Sequence, residues 1–134
     1  MSYISAPSPN FNARKLPVSL LVLHYKWMVS GRAALERLRD QDAEVSAHYV
    51  VEEDGRVFSL VDETMRAWHA GRGEWAGITD VNSASIGIEI VNGGHDFDLP
   101  EFPDVQIDAM IALCGDILSR HTIKPANIIG HSDL

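Results

Sequence analysis

The sequence has 134 residues, of which 46% are hydrophobic and 22% are charged, a composition that fits one globular domain and excludes a disordered chain. Its 11 lysines and arginines stand against 19 aspartates and glutamates, and the formal net charge of −8 argues against binding to nucleic acid or to an anionic membrane. No apolar run approaches the roughly 20 residues of a membrane-spanning helix, and no secretory leader opens the sequence, so we expect a cytoplasmic protein.

The first segments of the chain predict an irregular lead-in, a buried strand and a helix. Residues 1–16 are rich in proline, asparagine and serine, which is typical of irregular structure, and we expect residues 17–134 to form the domain. Residues 18–24 are almost continuously apolar, as in a strand buried on both faces. Ser30 then predicts the N-cap of a short helix over residues 31–39.

A hairpin and an aromatic loop are predicted next. Asp54 and Gly55 separate two strand-like runs, residues 45–53 and 56–61, and Asp-Gly between such runs is the strongest short-range hairpin signal. Residues 67–79 mix tryptophan, histidine and glycine, a composition that indicates a loop carrying aromatic side chains.

The last third of the chain predicts a strand, a long helix and a short strand. Residues 85–91 alternate isoleucine with other residues, which predicts a strand with its isoleucines on one face. A loop over residues 92–103 precedes a helix that begins at Asp104, and residues 128–129 predict a short strand. The expected apolar stripe of the helix comprises Ile107, Met110, Ile111, Cys114, Ile117 and Leu118. The order β-α-β-β-β-α-β predicts an α/β fold with a single central mixed β-sheet flanked by α-helices.

Two histidines far apart in the sequence each close a predicted strand. His24 ends the first buried strand, and His131 follows the last one. If these strands are parallel neighbours, both side chains reach one crevice, where open α/β sheets bind ligands. The pair therefore predicts a site for Zn²⁺, although a catalytic zinc site needs three protein ligands and an open position. Taken singly, each histidine is equally consistent with a strand-end residue bonded to backbone.

Glu89 places a carboxylate among the isoleucines of the strand predicted over residues 85–91. Burying a carboxylate is unfavourable unless it is paired or has a chemical task, and desolvation favours its uptake of a proton. These properties suit a general base that takes a proton from water at the metal. The alternative is a carboxylate on the solvent face of an edge strand, which the alternation of side chains leaves open.

Three further residues are candidates for substrate binding in the same crevice. Trp68 offers a flat apolar wall, and His69 follows it close to a glycine, which lets the backbone approach a ligand. His48 lies on a predicted strand and either lines the crevice or fills it. The alternative for His69 is a packed loop histidine.

Six strings, taken in order, resemble the type-2 N-acetylmuramoyl-L-alanine amidases, zinc enzymes of peptidoglycan breakdown that are related to the peptidoglycan recognition proteins. The strings lie at residues 21–25, 45–51, 54–55, 67–71, 85–89 and 129–133. The resemblance implies a mixed sheet with a groove for a glycan-peptide, so peptidoglycan or a muropeptide is the expected partner. It implies His24 and His131 as zinc ligands, Glu89 as the acid/base residue, and His48 and His69 as substrate-side residues. The implied reaction is hydrolysis of the amide between N-acetylmuramic acid and L-alanine.

The sequence departs from this family after the Gly-His-Ser-Asp string. Family members usually continue to the third zinc ligand and to a lysine that stabilises the oxyanion, and neither position occurs in these 134 residues. The resemblance therefore implies an amidase domain lacking its C-terminal tail, with weakened zinc binding and activity. Two alternatives are left open: Asp133 replaces the third zinc ligand, or Lys26 replaces the lysine that stabilises the oxyanion.

Two other functions are also consistent with the sequence. One is a non-catalytic muropeptide-binding module that needs no metal, and the other is an α/β interaction domain without chemistry. The preferred muropeptide and the oligomeric state are left open.

Overall fold

The centre of the molecule is a mixed β-sheet, in a computed structural model that describes residues 2–27, 30–92 and 102–134. The strands are β1 (Ile4–Ser5), β2 (Phe11–Ala13), β3 (Leu20–Trp27), β4 (Tyr49–Val51), β5 (Val57–Ser59), β6 (Met65–Ala67), β7 (Ser85–Asn92) and β8 (Ile128–Gly130). Six of these strands lie side by side in the order β1-β5-β4-β7-β3-β8, and β2 pairs with β6 in a separate two-stranded sheet.

Helices pack on both faces of the central sheet. They are α1 (Gly31–Arg39), α2 (Val81–Ala84) and α3 (Asp104–Arg120). On one face, Ala34 and Leu38 of α1 join a core cluster that includes Val50 of β4. On the other face, Leu113 and Ile117 of α3 pack on the isoleucines of β7. The predicted α/β class with one flanked mixed sheet is therefore confirmed. None of the helices in the described ranges is long and apolar enough to cross a membrane.

Two local predictions are confirmed closely. The helix over residues 31–39 forms as α1, and the Ser30 hydroxyl caps it by accepting a hydrogen bond of 3.1 Å from the Ala33 N–H. The hairpin forms as the antiparallel pair β4 and β5, with Gly55 at a φ of +89° in the turn. Both strands are shorter than predicted: the turn takes up residues 52–56, where the Glu52 N–H donates to the Arg56 carbonyl, and residues 45–48 and 60–61 lie beyond the other strand ends.

Several short elements were not predicted. β1 and β2 lie within the predicted irregular lead-in, where β1 pairs in parallel with β5 and β2 pairs antiparallel with β6. The sequence pattern also did not predict β6 or α2. Each of these elements has only two to four residues, so its structure depends on contacts with distant segments rather than on a local periodicity. The predicted loop over residues 92–103 lies largely outside the described residues.

The buried face of α3 differs from the predicted stripe. Of the predicted stripe, Ile117 is buried and Met110 and Cys114 pack against the same core, whereas Ile107, Ile111 and Leu118 are 39%, 66% and 39% exposed. The other buried residues of α3 are Gln106, Ala109 and Leu113. The side-chain amide of Gln106 donates to the carbonyls of Val51 and Val91, at 3.2 and 2.6 Å. This polar residue therefore anchors the helix to the ends of β4 and β7.

The register of three parallel strands sets the position of the histidines. β3 lies between β7 and β8 and runs parallel to both. In this register His24 is the partner of Glu89, and Leu23 is the partner of Gly130. Because registered residues of neighbouring strands point to the same face, His24 and Glu89 lie on one side of the sheet. His131 begins the turn that follows β8, and it lies next to His24 because Gly130 pairs with Leu23.

His48 is buried beneath this region and bonded on both ring nitrogens. Its Nδ1 accepts from the Gly87 N–H at 3.1 Å, so its Nε2 carries the hydrogen and donates to the Met65 carbonyl at 2.9 Å. Burial lowers the pKa of His48 to about 4, with the bond to Met65 opposing the shift and the charge of Arg14 adding to it. The folded protein therefore holds His48 as a neutral imidazole.

This burial predicts a loss of stability in mild acid. The unfolded chain takes up a proton on His48 below its ordinary pKa of about 6.5, whereas the folded chain does so only below about 4. The contribution of neutral His48 to the free energy of unfolding is therefore fully present above about pH 6.5. It falls as the pH drops towards 4, by at most about 3 kcal/mol. Denaturant unfolding across this range checks the slope. His48→Asn keeps an acceptor near the Gly87 N–H without titrating, so its slope should be flatter, and an unchanged slope would contradict the assignment.

Candidate active site

His24 and His131 meet at one edge of the sheet, although His24 does not end its strand as predicted, because β3 continues to Trp27. His24 is 1% exposed within β3, and its ring centroid lies 4.7 Å from that of His131, with the ring planes inclined by 44°. The parallel pairing of β3 with β8 causes this contact, because Gly130 is the register partner of Leu23 and the next residue after each of them is a histidine. The structure thus brings together the two side chains that were predicted as metal ligands.

Glu89 lies on the same face as His24 and close to the loop that carries Trp68. It is 6% exposed and lines a small pocket with Trp68, His69 and Arg37. β7 is an interior strand, flanked by β4 and β3, so Glu89 is not the solvent-facing carboxylate of an edge strand. A nearly buried carboxylate beside a pair of imidazoles fits the predicted acid/base residue.

His69 packs directly on the sheet and contacts His24. A Cβ placed on Gly87 would lie 2.3 Å from the His69 ring, so the glycine supplies the space that the ring occupies. The Nδ1 of His69 lies 2.9 Å from the Nε2 of His24, and its Nε2 lies 2.9 Å from the Ser85 hydroxyl. Burial lowers the pKa of His69 well below its usual value, and the neighbouring His24 adds to the effect. The ring is therefore neutral.

The loop segment that carries His69 is anchored by Asn82. The side-chain carbonyl of Asn82 accepts hydrogen bonds from the backbone N–H groups of His69 and Ala70, at 3.0 and 2.8 Å. The carbonyl of Ala70 in turn lies 3.1 Å from the Nε2 of His131. Because a carbonyl only accepts, the Nε2 of His131 donates this bond, and a neutral His131 carries its lone pair on Nδ1.

The two histidines fit part of a zinc site. Histidines that bind metal almost always donate their other ring N–H to a backbone carbonyl, a carboxylate or water, as His131 does here. Within residues 2–27, 30–92 and 102–134, no group of three or more His, Cys, Asp or Glu side chains is arranged to hold one ion. The described part of the chain thus offers two imidazole donors, whereas catalytic zinc sites usually use three protein ligands.

Asp133 does not take the position that an extended chain would give it. Residues His131–Asp133 form a 3₁₀ turn, and the Asp133 carboxylate accepts a hydrogen bond of 3.0 Å from the Gly130 N–H. The expectation that it points to the same side as His131 assumed an extended backbone. The side chain of Lys26, the suggested substitute lysine, lies outside the described residues.

Open space adjoins the histidines on two sides. One cavity, of about 400 Å³, is lined by Glu44, Val45, Trp68, His69, Ala70, Gly71, Arg72, Asn82 and His131. A second is lined by His24, Tyr25, His131 and Ser132, so His131 stands between the two. Trp68 is held at the wall of the first cavity, since its indole N–H donates to Asn12 at 2.9 Å.

The structure separates the predicted substrate-side residues. Trp68 and His69 line the first cavity, whereas His48 is fully buried, with its ring centroid 6.1 Å from that of His69. Substrate contact by these residues stays a prediction. Asn82 and Ser85 were missed because short polar residues around a four-residue helix carry no motif, and only the fold brings them to His69.

Comparison with known proteins identifies similar sequences and structures. A family model described as N-acetylmuramoyl-L-alanine amidase matches residues 14–134. The N-acetylmuramoyl-L-alanine amidase AmiD of Escherichia coli is 36% identical over 129 residues, which cover 87% of this chain but 46% of AmiD. The chain therefore spans about half the length of that relative.

Solved structures match the fold over most of the chain. A crystal structure of an AmpD derivative has a TM-score of 0.85 and 27% identity, over 98% of this chain and 82% of AmpD. A complex of E. coli AmiD with the substrate anhydro-N-acetylmuramic acid-L-Ala-D-gamma-Glu-L-Lys has a TM-score of 0.78 and 35% identity, over 91% of this chain and 52% of AmiD. Drosophila peptidoglycan recognition protein LB shares the fold alone, with a TM-score of 0.65 and 18% identity over 95% of this chain and 77% of that protein.

Because the His69 ring packs against Gly87, we expect a larger side chain at Gly87 to destabilise the protein. Gly87→Ala places a methyl group 2.3 Å from a ring whose backbone is anchored by Asn82, so the ring or the strand must shift. We expect the free energy of unfolding to fall by about 1–3 kcal/mol, measured by denaturant titration. Gly115→Ala is the matched control, because its Cβ meets nothing within 4 Å on α3, and it should be neutral or stabilising by up to about 1 kcal/mol. Equal effects at the two glycines would contradict the packing.

Proposed function

Because the chain belongs to the N-acetylmuramoyl-L-alanine amidase family, we propose that it is a zinc-dependent amidase that hydrolyses the amide between N-acetylmuramic acid and L-alanine in peptidoglycan or its fragments. The observation that carries this proposal is the contact between His24 and His131 beside Glu89, the register partner of His24. The substrate class is supported by AmiD, whose solved complex contains an anhydromuramyl peptide. The cytoplasmic location expected from the sequence stays a prediction.

His24 and His131 are the residues that would hold the metal. Neutral imidazole is the form that binds metal, and the bond from His131 to the Ala70 carbonyl keeps one ring nitrogen protonated and the other available as a donor. When bound, Zn²⁺ supplies a Lewis acid that polarises the scissile carbonyl and lowers the pKa of water.

Glu89 supplies the proton transfers of the proposed reaction. Its carboxylate takes a proton from the attacking water, whose oxygen forms a bond to the amide carbon, and passes that proton to the leaving nitrogen of L-alanine. The position of Glu89 supports both steps, since it is 6% exposed and opens into a pocket beside Trp68 and His69. Low exposure limits competition from bulk water for the same proton.

The cavity beside His131 supports binding of a glycan-peptide. Trp68 presents an aromatic side chain of the kind that packs on apolar faces, and the exposed Arg72 adds a cation at the rim of an otherwise acidic chain. Arg72 can pair with a carboxylate of a muramyl peptide, although Glu44 in the same lining balances its charge.

Zinc binding should depend on both imidazoles. We expect the 134-residue protein to bind Zn²⁺ at micromolar concentration in competition with a chromogenic chelator. His24→Ala and His131→Ala each remove a donor, so each should lower the affinity by more than the about 10–100-fold that loss of a supporting contact typically causes. His121→Gln, which alters an imidazole bonded to Glu63 beside α3, is the control and should keep the wild-type affinity. An absence of zinc binding, or equal affinities in all four proteins, would reject the metal site.

We expect that substitution of Glu89 reduces hydrolysis but leaves the affinity for zinc unchanged. With N-acetylmuramoyl-L-alanyl peptide as substrate, we expect Glu89→Gln to lower kcat by about 10²–10⁴-fold, because the amide cannot carry the proton. Mass spectrometry of the released peptide and sugar measures the rate and the bond that is cut. Glu36→Gln, at an exposed pair with Arg32, should have no effect. Full activity of Glu89→Gln would exclude its role, and muropeptide binding without hydrolysis or zinc dependence would favour a binding module.

A further inference from the structure

A chain of hydrogen bonds leads from Ser85 through His69 to His24, and its direction can be worked out. The Ser85 hydroxyl donates its single hydrogen to the Val81 carbonyl, at 2.6 Å, because a carbonyl cannot donate. The same hydroxyl oxygen lies 2.9 Å from the Nε2 of His69. Since the hydroxyl hydrogen is already used, the Nε2 of His69 must donate to Ser85.

The direction of that bond determines the tautomer of His24. A neutral imidazole carries one N–H, so the Nδ1 of His69 has a lone pair and accepts. The Nε2 of His24, 2.9 Å away, therefore carries a hydrogen and donates it to His69. A neutral His24 consequently has its lone pair on Nδ1, which matches the tautomer that the Ala70 carbonyl imposes on His131.

His69 and Ala70 are held in place independently of the two histidines that they contact. Asn82 accepts from both of their backbone N–H groups, and the His69 ring fills the space above Gly87. One anchored two-residue segment thus provides an acceptor for each imidazole, a side-chain nitrogen for His24 and a backbone oxygen for His131. Such contacts set which ring nitrogen is available to a metal.

We propose that His69 is a positioning residue, which fixes His24 in the Nε2–H tautomer so that Nδ1 is the nitrogen presented to the metal, while the Ala70 carbonyl does the same for His131. This role rests on the proposed zinc site. It differs from the substrate contact expected from the sequence, because both ring nitrogens of His69 are already bonded within the protein.

The tautomers can be observed directly by NMR in the metal-free protein. In the full chain labelled with ¹⁵N-histidine, with chelator present at about pH 8, above the usual imidazole pKa of about 6.5, we expect both His24 and His131 to show the Nε2–H pattern. His69→Phe keeps a ring above Gly87 but removes the acceptor, so His24 should become a mixture of tautomers. His131 should not change, and it serves as a control within the same molecule.

Two further variants separate positioning from a general structural role. His69→Asn places an amide oxygen near the former Nδ1, so it should restore the Nε2–H form of His24. Asn82→Ala releases the whole segment and should disturb both His24 and His131. Chemical shifts of the core methyl groups report whether each variant is folded, and His69→Asn still tests the proposal if His69→Phe does not fold.

Zinc affinity provides the second measurement and separates the two proposals. His69→Phe should bind zinc about 10–100-fold more weakly than wild type, and His69→Asn should recover most of the loss. A wild-type His24 in the Nδ1–H form, or a tautomer unaffected by His69→Phe, would overturn the positioning role even if zinc binds. If the tautomers are as expected but zinc does not bind, the proposed amidase site fails while the role of His69 in holding His24 stands.

Discussion

The parallel pairing of β3 with its two neighbours is the constraint on which the site depends. Pairing of β3 with β7 places Glu89 beside His24, and pairing of β3 with β8 places His131 beside His24. A slip of one residue in a β-ladder moves every side chain to the opposite face. Shifting β7 by one position would therefore bury Glu89 under α3, among Leu113 and the other apolar residues of that core, and would separate it from the histidines.

β7 serves different purposes on its two faces. Its isoleucines form the apolar core with α3, whereas Ser85, Gly87 and Glu89 face the histidines. Three residues of the second face have distinct tasks: Ser85 accepts a hydrogen bond from His69, Gly87 leaves room for its ring, and Glu89 opens into a pocket. The strand thus combines packing on one side with a polar site on the other, which a period of two residues makes possible.

The sequence predicts those parts of this structure that depend on local signals. Ser30 marks α1 and Gly55 marks the hairpin turn, because capping and positive φ are decided within a few residues. Convergence of the histidines required one added assumption, that their strands are parallel neighbours. The contact of His69 with His24 was beyond prediction, since it depends on a glycine and an asparagine brought there by the fold. The buried face of α3 was predicted only in part: Met110, Cys114 and Ile117 do pack on the core, whereas the hydrogen bonds from Gln106 to carbonyls of β4 and β7 have no apolar signal in the sequence.

Burial of neighbouring histidines also links the stability of the site to its proposed chemistry. His48 and His69 lie side by side with lowered pKa values, in each case mainly because burial disfavours the charged ring. Protonating His69 would add charge next to His24 and would remove the lone pair that accepts the hydrogen bond from His24, whereas protonating His48 would remove the acceptor of the Gly87 N–H. A metal likewise requires neutral imidazole, and the burial that keeps His69 neutral preserves the acceptor that it offers to the Nε2–H of His24. Acid therefore acts against the fold through His48 and His69, and against the proposed metal site through the hydrogen bond between His69 and His24.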